Sequence, residues 1–280
     1  MKATTENICL KGFFELGVRH RLIPVVLYRN GSVVQSKGFG RYQRLGRPQT
    51  IIERLSEWTS DELIFLDISP EPDSHTELLA VLQQVAGSCF MPMTCGGGLR
   101  SVEDCRERIA NGADKIVLNT GALIQPTLID RCALEFGSQC VVVGVDVRRQ
   151  PNGEWSVFSS GGTVDTRRGV LDWIQEAESR GAGEVLIQSI DRDGTGTGYD
   201  IELYRAARGM VQVPIVALGG VGCWEHFIEA LQEDTVDAVA AANIFNYTEQ
   251  SVFKAKSFLA AKGQNVRQTR FNDLRFSRAH

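Results

Sequence analysis

The sequence predicts an α/β protein of one architecture, a (β/α)8 TIM barrel with a two-fold internal half-barrel repeat. Apolar strand-like runs alternate with helix-period stretches eight times along 280 residues. The residues after those runs are Asp, Gly, Asn and Thr, the types that barrels gather at the C-terminal ends of their strands to build a site. The two halves also echo each other. MPMTCGGG at Met91–Gly98 parallels VPIVALGG at Val213–Gly220, and Gly112-Ala113-Asp114-Lys115-Ile116 parallels Thr235-Val236-Asp237-Ala238-Val239. A doubly wound sheet would have fewer strands, and no dinucleotide-type glycine fingerprint follows the first strand.

In order, residues 1–20 read as an N-terminal extension with a weak helical signal around Gly12–Gly17. RLIPVVLY at Arg21–Tyr28 is strand one, followed by an Asn30-Gly31 turn and the apolar pair Val33-Val34. Residues 36–48 hold Lys37, Arg41, Arg44 and Arg47 among glycines, and are expected to be a basic, mobile lid. Helix pattern at Ile51–Trp58 leads to strand two at Glu62–Ile68, then Thr76–Val85 is helical and Met91–Cys95 is strand three. Ser101 and Asp104 make a capping-box start for a helix with Val102, Cys105 and Ile109 on one face. Strand four is Lys115–Leu118, Pro126 opens the next helix, and strand five is Cys140–Val145. Residues 148–162 suggest a hairpin turning at Asn152-Gly153. Helix Val170–Ser179, strand six from Glu184, strand seven at Val213–Leu218, a helix through Trp224–Leu231, strand eight at Ala238–Ala242 and helix Val252–Ala261 complete a single barrel over 21–262. Residues 263–280 form a polar, Arg-rich tail.

Composition narrows the function. Net charge is -4 and hydrophobic content 43%, so nothing points to nucleic acid or an anionic membrane, and no apolar run is long enough to span a bilayer. The first residues lack the apolar core of a signal peptide, and the seven cysteines are odd in number with no CxxC pair. They read as reduced, mostly buried thiols of a cytoplasmic protein, with no metal site and no cofactor expected. His226 sits in a helix pattern and suits a surface or packing role.

The most informative stretch is LIQSIDRDGTGTGYD at Leu186–Asp200, a strand that empties into acids and glycines before a helix. An isolated Asp-Gly is an ordinary turn. Here it joins Asp67, Gly96–Gly98, Asn119-Thr120, Asp146, Gly219-Gly220 and Asn243, all at strand ends. Carboxylates among them can move protons, and the Gly and Thr residues can wrap a phosphate with backbone N–H groups and hydroxyls. Their repetition predicts two phosphate cradles facing each other, one for each end of a ligand.

These residues carry a resemblance. DELIFLDI at Asp61–Ile68, GGGLRSVED at Gly96–Asp104, GADKIVLNT at Gly112–Thr120, FGSQCVVVGVD at Phe136–Asp146 and GAGEVLIQSIDRDGTGTGYD at Gly181–Asp200 resemble the cyclase subunit of imidazole glycerol phosphate synthase. The likeness runs from about Arg21 to Arg267. That family is a (β/α)8 barrel that closes an imidazole ring with ammonia from a glutaminase subunit. Its two acid/base aspartates end strands one and five. The second matches Asp146, but Leu27 stands in place of the first, and Gln35 replaces a substrate-contacting lysine. The resemblance implies phosphate or substrate contacts at Gly98, Asn119, Thr120, Gly194 and Gly220, with Asn243 replacing a serine. It implies an ammonia gate of Arg21, Glu62, Lys115 and Glu184, and a glutaminase-facing Asp114.

The gate residues begin strands one, two, four and six, so their side chains are expected to meet in a closed ring. As physics alone, such a ring is a salt-bridged plug that stabilises the barrel. A divergent branch of the family also has leucine at the Leu27 place and shares Cys89-Phe90-Met91-Pro92. It works with a glutaminase and a separate amidotransferase to convert an acetamido sugar into an acetamidino sugar. The expected function is therefore ammonia-dependent amidation or amidination of a phosphorylated or nucleotide-linked sugar for a surface polysaccharide. One alternative is a histidine-pathway cyclase, a lyase in which Asp67 or Asp193 supplies the missing acid/base group. The other is a non-catalytic subunit that only activates its glutaminase.

Overall fold

The computed structural model describes residues 19–70, 74–87, 89–247 and 250–268. The extension at 1–18, with its expected Gly12–Gly17 helix, and the tail beyond 268 lie outside the described residues.

Eight parallel strands close on themselves. They are β1 (Arg21–Arg29), β4 (Leu63–Asp67), β5 (Met93–Gly96), β6 (Lys115–Leu118), β7 (Val141–Arg149), β10 (Glu184–Ser189), β11 (Ile215–Leu218) and β12 (Ala238–Ala241), with β12 pairing back to β1. Helices α1 (Pro48–Glu57), α2 (Ser74–Ala86), α3 (Val102–Ala110), α4 (Thr120–Ile124), α5 (Thr127–Phe136), α6 (Val170–Ser179), α7 (Ile201–Arg208), α8 (Glu225–Leu231) and α9 (Val252–Ala261) fill the crossovers. Side chains alternate along each strand with period two, so β1 divides its residues between two cores. Ile23, Val25 and Leu27 face inward with Ile64, Val117, Val142, Leu186 and Val216. Leu22, Val26 and Tyr28 face outward into the larger core under the helices. The expected capping box is present: Ser101 accepts from the Asp104 amide and Asp104 from the Ser101 amide.

Two hairpins sit on the C-terminal face, one in each half. Residues 36–48 are not the expected open loop. β2 (Ser32–Lys37) and β3 (Arg41–Gly46) continue β1 as an antiparallel ribbon. The Asn30-Gly31 pair, with φ of 46° and 80°, turns β1 into β2, and Gly38 and Phe39, with φ of 60° and 57°, turn β2 into β3. The expected hairpin after β7 is present as β8 (Trp155–Ser159), and a third strand, β9 (Val164–Gly169), extends it.

Smaller differences have local causes. Cys140 ends a 3-10 turn rather than starting the strand. Residues 263–268 are not loose, because the His20 amide donates to the Asn265 carbonyl at 2.8 Å and His20 bridges Val266. Of the described cysteines, Cys95, Cys105 and Cys132 are buried, whereas Cys89, Cys140 and Cys223 are half-buried. His226 accepts from the Gly222 amide at 3.1 Å and so braces a loop. No helix among the described residues is long and apolar enough to cross a membrane.

Candidate functional site

The site begins with strand register. Leu27 pairs with Leu66, and Asp146 pairs with Gln188. Leu66 and Gln188 each stand four residues beyond a glutamate, Glu62 just before β4 and Glu184 at the start of β10. Leu27 also ends the barrel part of β1 opposite Val34 of its hairpin, as Asp146 does on β7 opposite Phe158. Leu27 and Asp146 are therefore equivalent positions of the two halves. One is a carboxylate and the other is a leucine 5% exposed within the inner apolar cluster.

Asp146 Oδ2 accepts from Asn119 Nδ2 at 2.9 Å. Burial pushes the Asp146 carboxyl up to about 7, with the Asn119 hydrogen bond opposing and the Asp193 charge adding. A group that titrates there can both give and take a proton near neutrality. Asn119 Oδ1 is buried and has no hydrogen-bond partner among the described residues. Asp67 ends β4 beside Tyr28 and accepts from the Ser69 amide at 2.9 Å.

Asp193 has a different placement from the free proton carrier suggested by its motif. Its Oδ2 accepts from Ser36 Oγ at 2.7 Å and from the Phe39 amide at 3.3 Å, while its carbonyl accepts from the Gly38 amide at 3.0 Å. Burial pushes this carboxyl up, and the Ser36 and backbone donors oppose the shift. Asp193 thus holds the β2–β3 ribbon across the mouth. Thr120 does the same in the other half, accepting from the Ser160 amide of the second hairpin at 2.9 Å.

The glycine turns are matched as well. Gly97 and Gly98 have φ of 104° and 71°, and Gly219 and Gly220 have φ of 106° and 100°. A Cβ on Gly97 would lie 2.1 Å from the Asp67 carbonyl oxygen, and one on Gly220 2.1 Å from that of Gly198, so both turns require glycine. Asp193, Gly194, Gly219, Gly220, Ala242 and Asn243 line one small pocket. Asn243 Nδ2 donates to the Ser36 carbonyl at 2.9 Å, and its Oδ1 is buried without a partner among the described residues. In the other half, Gly121 packs against Leu99 and Arg100, which brings the α4 start carrying Asn119 and Thr120 onto the turn after Gly98.

At the opposite end the four charges meet. Arg21 bonds Glu62 at 2.7 Å and also bonds Glu184, while Lys115 bonds Glu62 at 3.0 Å and Glu184 at 3.2 Å. Each cation touches both carboxylates, so the ring is closed. Burial pushes the Glu62 carboxyl up, but Lys115, Arg21 and a hydrogen bond from Thr94 Oγ1 outweigh it and hold it below the usual carboxylate range. Thr94 is a ring member that the strand-start reading overlooked, because a threonine inside a strand carries no signal of its own. Asp114 is exposed beside the ring and its Oδ2 accepts from the Met93 amide at 2.8 Å. Phe90, which precedes β5 at the same end, is 85% exposed. No group of His, Cys, Asp and Glu among the described residues is placed to hold a metal ion.

Comparison with known proteins fits this geometry. The model of the family described as histidine biosynthesis protein matches residues 21–251. The imidazole glycerol phosphate synthase subunit HisF of Streptococcus sanguinis is 39% identical over 250 residues, 89% of this chain and 99% of that protein. The HisF subunit of Lachnoclostridium phytofermentans is 41% identical over 248 residues, 88% of this chain and 96% of that protein. With its barrel, its paired glycine turns and these relatives, the chain belongs to the histidine biosynthesis protein family as a HisF-like barrel.

Proposed function

We propose that this chain is the ammonia-receiving barrel of a glutamine-dependent complex, and that its acceptor chemistry is amidation or amidination rather than imidazole ring closure. A glutaminase subunit docks at the end carrying Asp114. Ammonia enters at the Arg21, Glu62, Lys115 and Glu184 ring and reaches an acceptor held at the mouth by the glycine turns, Asn119, Thr120 and Asn243. That acceptor is a phosphorylated or nucleotide-linked sugar of surface polysaccharide synthesis, and a separate amidotransferase completes the transfer.

The observation that carries the reading is Leu27 opposite an intact ring. Ring closure uses proton transfers from two sides, and the half that should mirror Asp146 has no titratable group at that register. Asp193, one of the two carboxylates that could substitute, is already engaged by Ser36, Gly38 and Phe39. The second reading is the cyclase itself. The HisF names of the relatives favour it, and so does Asp146, whose carboxyl is pushed by burial up to about 7. No relative above carries a sugar-modifying name.

The deciding experiment supplies the formimino ribonucleotide substrate with ammonium salt. Turnover on the order of 1 per second or faster, the range of ordinary enzymes, establishes the cyclase. Absence of turnover, with partial recovery in the Leu27→Asp, Gln35→Lys double variant, supports the amidating reading.

A further inference from the structure

The mouth and the ring leave one polar cavity unused. A cleft of about 260 Å³ lies outside the barrel, between the end of β3, the first turns of α1 and the turn after β12. Leu45, Arg47, Thr50, Ile51, Arg54 and Asn246 line it. Leu45 and Ile51 belong to or pack on the outer core, so its floor is fixed.

Its charge is uncompensated. Arg54 Nε is buried and has no hydrogen-bond partner among the described residues. Burial pushes the Arg54 guanidinium below the ordinary arginine value, and no neighbouring carboxylate opposes the shift. Its plane lies over the Trp58 ring at 5.0 Å, which occupies a face and leaves the N–H edge available. A buried N–H without an acceptor, here Arg54 Nε, is costly.

The helix adds to this. α1 is ten residues long, opens with Pro48, has no acidic residue in its first turn, and takes no side-chain cap from Arg47. The Ile51 amide is taken by the Arg47 carbonyl at 3.4 Å, and the helix start beside Thr50 presents the positive end of the α1 dipole to the cleft. Two guanidinium groups, a hydroxyl and a helix start around a small volume make a place for a compact oxyanion. The volume lies below the range that holds a whole drug-sized ligand.

We propose that this cleft is an anion site separate from the mouth, which takes a phosphate or diphosphate group through Arg47, Arg54, Thr50 and the first turn of α1. Asn246 Nδ2 donates to the Ala242 carbonyl at 3.1 Å, so an anion here braces the turn that also carries Asn243.

The test is calorimetric titration of the full chain with inorganic pyrophosphate. Thr50→Glu places a carboxylate in the cleft and at a helix position that favours acids, so the fold is kept while the anion is repelled. Arg54→Gln removes the guanidinium that carries the unpartnered Nε. The wild type should bind one equivalent of pyrophosphate more than Thr50→Glu, or bind it at least tenfold more tightly, and Arg54→Gln should weaken the same site. If Arg54→Gln fails to fold, Thr50→Glu, with a Tm no lower than the wild type, decides alone. Identical isotherms for wild type and Thr50→Glu would overturn the proposal.

Discussion

Replacing Lys115 by methionine separates the two readings of the charged ring. The lysine contributes ion pairs of 3.0 and 3.2 Å to two buried carboxylates, and its own side chain is only 24% exposed. Removing one partner of a fully buried pair costs about 3–5 kcal/mol, because a charge is left uncompensated. Arg21 still bonds both glutamates, and Lys115 is partly hydrated, so the expected loss is smaller, about 2 kcal/mol. For a chain of this size that lowers Tm by roughly 4–8 °C. The pH dependence has a definite sign. Glu62 is held below its ordinary value, so its contribution is present above that value and lost as pH falls through the depressed one. Lys115→Met raises the folded-state value, and the acid-side loss of stability then begins at higher pH. The functional assay uses the complex with the proposed glutaminase and acceptor. If the ring gates ammonia, glutamine hydrolysis outruns product formation while free ammonium still supports the reaction. A lowered Tm with an unchanged ratio of glutamine used to product made would refute gating and leave the ring as a stabilising plug.

Three further outcomes follow from the mouth. Asp146 has its folded-state carboxyl raised to about 7, so ionising it opposes folding; the penalty is absent below pH of about 4, grows as pH rises toward 7 and is constant above. Asp146→Asn should therefore raise Tm more at pH 8 than at pH 4, checked by calorimetry, and should abolish ammonia-dependent product formation if that product is the closed imidazole ring. Asp193→Ala leaves Ser36 and the Phe39 amide without their acceptor, which should cost about 1–3 kcal/mol and make the 38–40 turn more sensitive to limited proteolysis than the rest of the barrel. Gly220→Ala forces a Cβ to 2.1 Å from the Gly198 carbonyl at a φ of 100°, and should cost about 2–4 kcal/mol and weaken phosphate binding in titration.

What the sequence made legible follows from how local each signal is. The barrel strands read clearly because continuous apolar runs such as Val141–Val145 are buried on both faces. The ring was legible through the family resemblance, which matched Arg21, Glu62, Lys115 and Glu184, and their places at the starts of such runs then set them at one end of the barrel. The β2–β3 ribbon was not. β3 is an edge strand exposed along most of its length, so Arg41–Leu45 shows no hydrophobic alternation and reads as a loop. Its local signs were the Asn30-Gly31 pair before β2 and the glycines Gly38 and Gly40 between β2 and β3. The work of Asp193 was hidden for another reason. Ser36 is 157 residues away, and a tertiary hydrogen bond of that span leaves no trace in spacing. The buried Lys256, bonded to Asp61 at 2.6 Å, escaped notice for the same reason, since in sequence it looks like one more lysine on a helix.

Leu27 bears most directly on how this barrel diverges from a two-aspartate one. Arg21 and Leu27 are on the same strand, six residues apart, and so roughly 20 Å from each other. Changes at that separation add independently, so the mouth can lose an acid without disturbing the ring. The loss also has a stabilising side. Leu27 packs with Val25, Val34 and Ile64 in the inner core, and Leu66 lies against them. The immediate surroundings of Leu27 are apolar, whereas Asn119 and Gln188 give Asp146 polar neighbours. An aspartate returned to position 27 enters these apolar surroundings without an evident donor. Leu27→Asp alone should therefore destabilise by about 2–4 kcal/mol at pH 8, with the loss shrinking as pH falls and the buried carboxyl takes up a proton. The coupling of glutamine hydrolysis to product should not change. If Leu27→Asp is instead neutral in Tm across that pH range, these surroundings are not closed as described, and the mouth already holds a donor able to serve a second acid.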